Sequence, residues 1–590
     1  MAWDEAVPGN VLAPDLTRKA AMTYGTIAHL PVPWASESWW SMCIARIHYL
    51  QTCSLGYPSS MSKFLHHVVS ETKDGFTLML GNIPHLCFFK KISLVADADG
   101  LRLLLGSKGA SGFKCCYQCS NVITGEKNLA GHEHMRSTRV SNFQAQTPSN
   151  LKAICAHLSS IEGKKVVAEA EKLLGWHLAE MKASFLQDPL LEQVIQLSDV
   201  LHDPMHCWVA NGVVNQELGL WYTALLDTNS LNLRHLWEYV SRCWKPAHGE
   251  ASMKKLFSPK KWVYGRDYRG EASETLDVLP LVVAFCLEVL NGSGHGLQQE
   301  IRSLRALLDV VTTWTWCKTR QCHDPPMDMT AASNNLLACQ VKHLELFKSC
   351  YGQNMVRPKH HFSLHVGPQM KRKGWLKDCF PVERRHRWYK QHIAPNWKRL
   401  SCFAESALFE MIHLDLNQEQ IHSLEPCLHG RQIPMDPSIG ICEKNAMLAH
   451  GVTAKGSMYT HGDYFQLNEQ QAFRVEAAAA ADGKYILLGK KLDVCHHTNH
   501  VITKWTPPNS KGALWVLPLE KILRAKRICY HRVEKMNPKI SFLYLFADAR
   551  GKKDCKLHEH PARPKIYENI VKQVSIVITW LSIPHKSSKS

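Results

Sequence analysis

Two kinds of hydrophobic spacing succeed one another along this chain. The N-terminal part holds short apolar blocks separated by turn-forming residues. Residues 18–30 (RKAAMTYGTIAHL) and 39–50 (WWSMCIARIHYL) predict strands, and 87–96 (CFFKKISLVA) predicts another that ends at Asp97 and Asp99. The opening, MAWDEAVPGN, puts only three residues before an acidic pair, and PGN reads as a turn. A buried strand usually takes about five or six residues. Either Trp3–Asp4 closes a very short strand, or the chain is expected to be truncated at its N-terminus.

Helical spacing takes over near residue 150. Residues 150–196 read as helices, 197–225 as a strand ending near Asp203 and then a helix, and 230–355 as mostly helical, with 276–290 and 301–316 spaced for buried helices. Beyond residue 440 the pattern changes again. MYTHGDYFQL, FRVEAA, KYILLGKKL and ALWVLPLEKI alternate between polar turns and predict a small β-barrel or sandwich-like module; the last 40 residues are basic and read as a loose tail. The fold class expected is α/β with a β-rich C-terminal module.

Composition adds a partner class. The 590 residues carry 70 Lys and Arg against 52 Asp and Glu, a net charge of +18, which points to a polyanionic partner, nucleic acid or an anionic surface. The most apolar stretch, 276–290, contains Asp277, Pro280 and Glu288 and is shorter than the roughly 20 apolar residues of a membrane span. No secretory signal opens the chain, so the 21 cysteines are expected as thiols, some of them on metal. The basic charge is concentrated in 357–399, where 12 Lys or Arg face two acids. Trp375, Trp388, Tyr389 and Trp397 are interleaved with it, and aromatics stack on unpaired bases while cations meet phosphate.

Several residues could carry chemistry. Cys116 and Cys119 form CxxC in a Gly-flanked loop, half of a zinc site, with Cys115 as a substitute for Cys116. For the other half, His132 and His134 lie nearby, and Cys155 with His157 is a second option. His361 and His365 share a helical face at a spacing that can bind zinc, but no HExxH is completed, and the segment reads as core packing or substrate contact. Asp203 follows an apolar run, and His206 lies one helical turn beyond it. Pro381 can start a helix with Glu383 in its first turn and His386 and Arg387 on the same face. Each acid has an ordinary structural role open to it, as a helix cap or a dipole partner. GSKGASGFK lacks the phosphate-loop lysine spacing, and no GxSxG elbow is present.

Five motifs in order, WDEAVPGN, GSKGASGFKCCYQCSN, HDPMHCWVANG, RPKHHFSLHVGPQ and VERRHR, resemble the DDE transposases of CACTA/Plavaka-like cut-and-paste DNA transposons, a type widespread in protist genomes. The resemblance covers about residues 3–395. It implies an RNase H-like core with a zinc-binding loop over 1–206, a helical insertion over 207–355 and the end of the core with a basic helix over 356–435; the β module read from the alternating pattern occupies 440–550 and the basic tail 551–590. It implies catalytic Asp4, Asp203 and Glu383, with Asp97 a rival for the first acid, and supporting roles for His206 and His386. It implies two Mg²⁺ or Mn²⁺ ions, because in-line displacement at phosphorus needs both attacking and leaving oxygens clamped, and a structural Zn²⁺. The implied partner is double-stranded DNA met by Lys371, Arg372, Lys373, Arg384, Arg385, Arg387 and Lys390, in a nuclear homo-oligomer with no membrane contact. Two other readings stand beside this one: a transposase-derived DNA-binding protein without catalysis, and a zinc-bearing scaffold whose β module binds another protein.

Overall fold

In the computed structural model the described residues are 1–389, apart from short stretches of which 27–38 is the longest, then 406–411, and discontinuous segments between 426 and 543. The tail expected over 551–590 lies outside them. The chain is mixed α/β. Among the described residues no helix is long and apolar enough to cross a membrane.

A five-stranded sheet organises the N-terminal half. Its strands are β1 (Ala2–Ala6), β2 (Ala20–Gly25), β3 (Trp40–Arg46), β4 (Leu94–Ala96) and β5 (Val200–His202), in the order 3-2-1-4-5. β1, β2 and β3 are antiparallel neighbours; β4 runs parallel to β1, and β5 parallel to β4. All six residues of β2 are buried, as in a strand covered on both faces. The alternation explains how. Ala20, Met22, Tyr24, Val95 and Leu201 enter one core, while Ala21, Leu94, Ala96 and Val200 enter another on the opposite face.

Two sequence expectations change here. Asp4 lies in the middle of β1, opposite Met22, because antiparallel pairing with β2 continues to Ala6; only the parallel pairing with β4 stops at Trp3. The strand expected over 87–96 is two pieces. Residues up to Cys87 belong to a hairpin, Phe76–Leu80 with Ile83–Cys87, and β4 begins only at Leu94, after the Lys90–Lys91 pair interrupts the apolar run.

One core packs α1 (Gly56–Thr72) and α2 (Ala98–Leu105) with the helices at Pro148–Ser160, Leu178–Ala183 and Pro189–Val194. The Gly/Ser segment between α2 and the cysteines is a structural turn. Gly106 caps α2 in the left-handed region at φ 72°, where a side chain would be strained, and its N–H donates to Arg102 O.

The other core receives the short α3 (Pro204–Trp208) and the long helices α4 (Val213–Asp227), α5 (Ala272–Phe285), α6 (Gln298–Arg320) and α7 (Met329–Tyr351). The chain then returns to the sheet through α8 (Pro358–Leu364), α9 (Val366–Lys373) and α10 (Phe380–Trp388). Aromatic contacts fasten this return. Trp208 lies 5.0 Å from Trp314, which stacks on Phe380. A buried ion pair adds to them: Lys318 on α6 meets Asp378 at 2.7 Å, just before α10.

β5 is an edge strand, and its outward backbone groups are met by side chains. Gln118 Nε2 donates to Val200 O at 2.6 Å. The Gln369 amide, in the orientation that satisfies both its atoms, accepts from His202 N at 3.1 Å and donates to His202 O at 3.2 Å. Arg372 donates to Ser198 O, and Lys373 pairs with Asp199. The CxxC loop and α9 thus close the sheet edge together.

Between 447 and 543 the paired strands of the described segments are antiparallel. A long hairpin, Gln471–Ala481 with Lys484–His497, carries a bulge at Val475/Ala477, and Val452, Phe465, Phe473, Leu487 and Leu517 form its core.

Candidate metal centre and acidic pocket

Cys116 and Cys119 converge with two histidines from the far side of the sequence. Cys116 Sγ is 3.4 Å from His365 Nε2. Cys119 Sγ is 3.5 Å from His361 Nε2 and 3.4 Å from His365 Nε2, and the two Nε2 atoms are 3.1 Å apart. All four ligand atoms fall within 4.8 Å of one another. A tetrahedral zinc with arms of about 2.3 Å to sulfur and about 2.0 Å to nitrogen has edges of about 3.3–3.8 Å. The observed spacings are near these edges, so the four residues fit a Cys₂His₂ zinc site.

Local structure explains the histidine pair. His361 lies in the last turn of α8. His365 keeps helical dihedrals, φ −79° and ψ −20°, at the junction with α9, so the i, i+4 spacing holds both rings on one side. Phe143 packs edge-on against His361 at 4.9 Å, and His202 stacks on Phe362 at 4.6 Å. Burial pushes the Cys116 thiol well up and the His361 imidazole well down. A divalent cation supplies the positive charge that a buried thiolate lacks, and coordination deprotonates the thiol outright. His202 adds an outer contact, its Nε2 3.7 Å from Cys116 Sγ.

The second half of the site is therefore not the one expected. His132 is half-buried and its Nδ1 lies 3.2 Å from Ala130 O; His134 sits on a two-residue strand, its Nδ1 accepting from Arg136 N. Neither belongs to the cluster, nor do Cys115, Cys155 and His157. Nearness in sequence favoured His132 and His134, whereas the fold supplies the ligands from α8. The missed signal was the spacing of His361 and His365 itself.

Beside the metal centre lies an acidic pocket. Asp203 follows β5 directly and caps α3, while Asp97 follows β4 and caps α2 by accepting from Gly100 N at 2.6 Å. Glu383 sits in the first turn of α10, which packs against β1. His206 connects two of these acids: its Nδ1 is 2.5 Å from Asp203 Oδ2 and its Nε2 is 3.8 Å from Glu383 Oε1. His386, one helical turn beyond Glu383, is buried with its ring 5.4 Å from Tyr24 of β2. Lys359 approaches the acids from α8. Burial lowers its pKa, against the upward pull of Cys207, Asp97 and Asp203. The backbone of Asp4 belongs to β1, but its side chain lies outside the described residues.

The basic residues divide. Arg372 and Lys373 are engaged with Ser198 and Asp199, and Arg385 is buried. Lys373 and Arg385 are thus drawn toward the fold, while Arg372 keeps an exposed side chain beside its bond to Ser198 O. Lys371 is exposed and Arg384 half-buried. The side chain of Arg387 and all of Lys390 lie outside the described residues.

No protein-family model matches the chain, and no curated protein matches it either.

Proposed function

We propose that this chain is a DNA strand-cleaving and strand-joining enzyme of the DDE transposase type, working by two-metal phosphoryl transfer. The observation that carries the reading is strand register. Ala96 of β4 pairs with Trp3 on one side and with His202 on the other. The next residue along each strand is Asp4, Asp97 and Asp203, so three aspartates stand in one row across neighbouring strands spaced about 4.8 Å apart. In this reading Asp97 stands beside Asp4 in the row and joins it rather than taking its place. Glu383 reaches this row through His206. The strand order 3-2-1-4-5, with three antiparallel strands followed by two parallel ones, supports the reading of an RNase H-like core, in which the helices between residues 213 and 351 would be the insertion before the last acid.

Hard divalent cations, Mg²⁺ or Mn²⁺, take carboxylate oxygens; Asp97, Asp203 and Glu383 are the described acids gathered here, and strand register sets Asp4 beside Asp97. Two such ions would stabilise the attacking and leaving oxygens of an in-line displacement. The protein's part is to fix the acids. Strand pairing sets the row, and the Cys₂His₂ centre pins α8 and α9, and through them the start of α10, to the sheet. Duplex DNA is the proposed substrate, with a nuclear location and a homo-oligomeric form following from the same reading.

The test is cleavage of DNA carrying transposon ends, with Mg²⁺ or Mn²⁺. Wild type should cut and join, and E383Q and D97N should bind DNA nearly as well without cutting, since most phosphate contacts lie elsewhere. Tight binding with no cleavage by the wild type would make the protein a DNA-binding relic instead.

A further inference from the structure

Asp203 differs from the other acids of the row. Its side chain is wholly buried. Oδ1 accepts from the backbone N–H of Met205 at 3.3 Å and of Cys379 at 3.0 Å. Oδ2 accepts from the backbone N–H of His206 at 3.1 Å and from its Nδ1 at 2.5 Å. A carboxylate has about four lone-pair sites, and here four donors, each fixed by the backbone or by a short helix, occupy them. A hard cation at Asp203 would have to break contacts that hold α3 and the start of α10 in place. The carboxylate also fixes the histidine: Nδ1 is its donor, so the ring's other nitrogen, Nε2, is the one presented to Glu383.

We propose that Asp203 and His206 are a positioning pair rather than metal ligands: buried Asp203 orients His206, and His206 Nε2 steadies a carboxylate oxygen of half-exposed Glu383, which together with Asp97 would take the divalent cation. This rests on the function proposed above for the identity of the cation. The pair is an outer layer of the site, of the kind whose loss weakens metal binding about 10–100-fold without abolishing it. The competing assignment is a soft-metal site made by Asp203, His206 and Cys379, whose ligand atoms lie within 4.8 Å of one another. That assignment must sacrifice the 2.5 Å contact between Asp203 and His206.

Mn²⁺ titration of the full, zinc-loaded chain, read by the electron paramagnetic resonance signal of free Mn²⁺, separates them without DNA. E383Q should lose the tight Mn²⁺ site. H206A should keep it with about tenfold weaker affinity, and added imidazole should restore the affinity, which a merely structural defect would not allow. D203N should behave like H206A but without imidazole rescue. Should D203N fail to fold, as judged by melting and zinc content, H206A with imidazole still decides. Loss of the site in D203N as complete as in E383Q, with H206A close to wild type, would overturn the proposal, as would a wild type that takes up no Mn²⁺ through Glu383. Tight, Glu383-dependent Mn²⁺ binding by a chain that cuts no DNA would leave the positioning pair standing and remove the strand-cleavage function.

Discussion

Cys119 Sγ lies 3.4 Å from His365 Nε2, although 246 residues separate the two along the chain. That contact closes a loop containing β5, α3 and the helices α4 to α7, so whatever occupies the cluster constrains the acidic pocket as well. The purified protein should contain one zinc in this centre. C119S or H365A should lose it, read by elemental analysis, and should melt at lower temperature. Thiol ligands bind zinc as thiolates and release protons, so zinc affinity should fall as the pH is lowered.

The Lys318–Asp378 pair gives a second expectation. Burial lowers the Lys318 pKa while Asp378 pulls it back up. Removing only the carboxylate leaves a buried, uncompensated ammonium. D378A should cost about 3–5 kcal/mol, and the double variant K318M/D378A should recover much of the loss. Denaturant unfolding of the three variants measures both; equal losses in the single and double variants would argue against an effect of the pair.

His360 sets a pH dependence. It is fully buried, and burial, with His343 beside it, brings its pKa down from 6.5 to about 3. Its Nδ1 accepts from Arg357 N, a bond that protonation would forfeit. The unfolded chain takes up the proton first, so the stability associated with neutral His360 is complete above about pH 6.5 and is lost as pH falls toward 3. At pH 5 the loss is about 2 kcal/mol. H360N should flatten the change in unfolding free energy between pH 7 and pH 5 by about that amount.

The basic residues of α9 should separate by experiment. R372A and K373A remove contacts to the 198–199 backbone turn and to Asp199, so they should lower the melting temperature and leave the salt dependence of DNA binding nearly unchanged. K371A should leave stability alone and reduce the slope of log affinity against log salt by about one. The reverse pattern would return Arg372 and Lys373 to the DNA surface.

How much of this was legible in the sequence follows from the range of each interaction. The CxxC half-site is a local spacing and can be read directly. The His361/His365 pair is local too, but its pairing with Cys116 and Cys119 depends on how α8 packs against a loop more than 240 residues earlier, and no periodicity encodes that. Asp97 and Asp203 could be recognised as strand ends because polar residues follow short apolar runs. Their alignment in one row depends on register, which a period-two pattern leaves undetermined between strands. Lys373 and Arg385 show the same limit for charge: a basic run in sequence says nothing about which members are drawn inward, the first to Asp199 and the second into a buried position.

The way β5 is finished has a consequence for handling the protein. Its outer backbone groups are satisfied by the amides of Gln118 and Gln369, the first from the loop that carries Cys116 and Cys119 and the second from the helix that follows His365. If the metal centre is not assembled, neither amide is held in place, and Val200 and His202 present an open strand to other molecules, a template for edge-to-edge aggregation. Solubility during expression should therefore track the zinc supply, and material produced in zinc-poor medium should accumulate as insoluble, β-rich aggregate even where translation is unaffected.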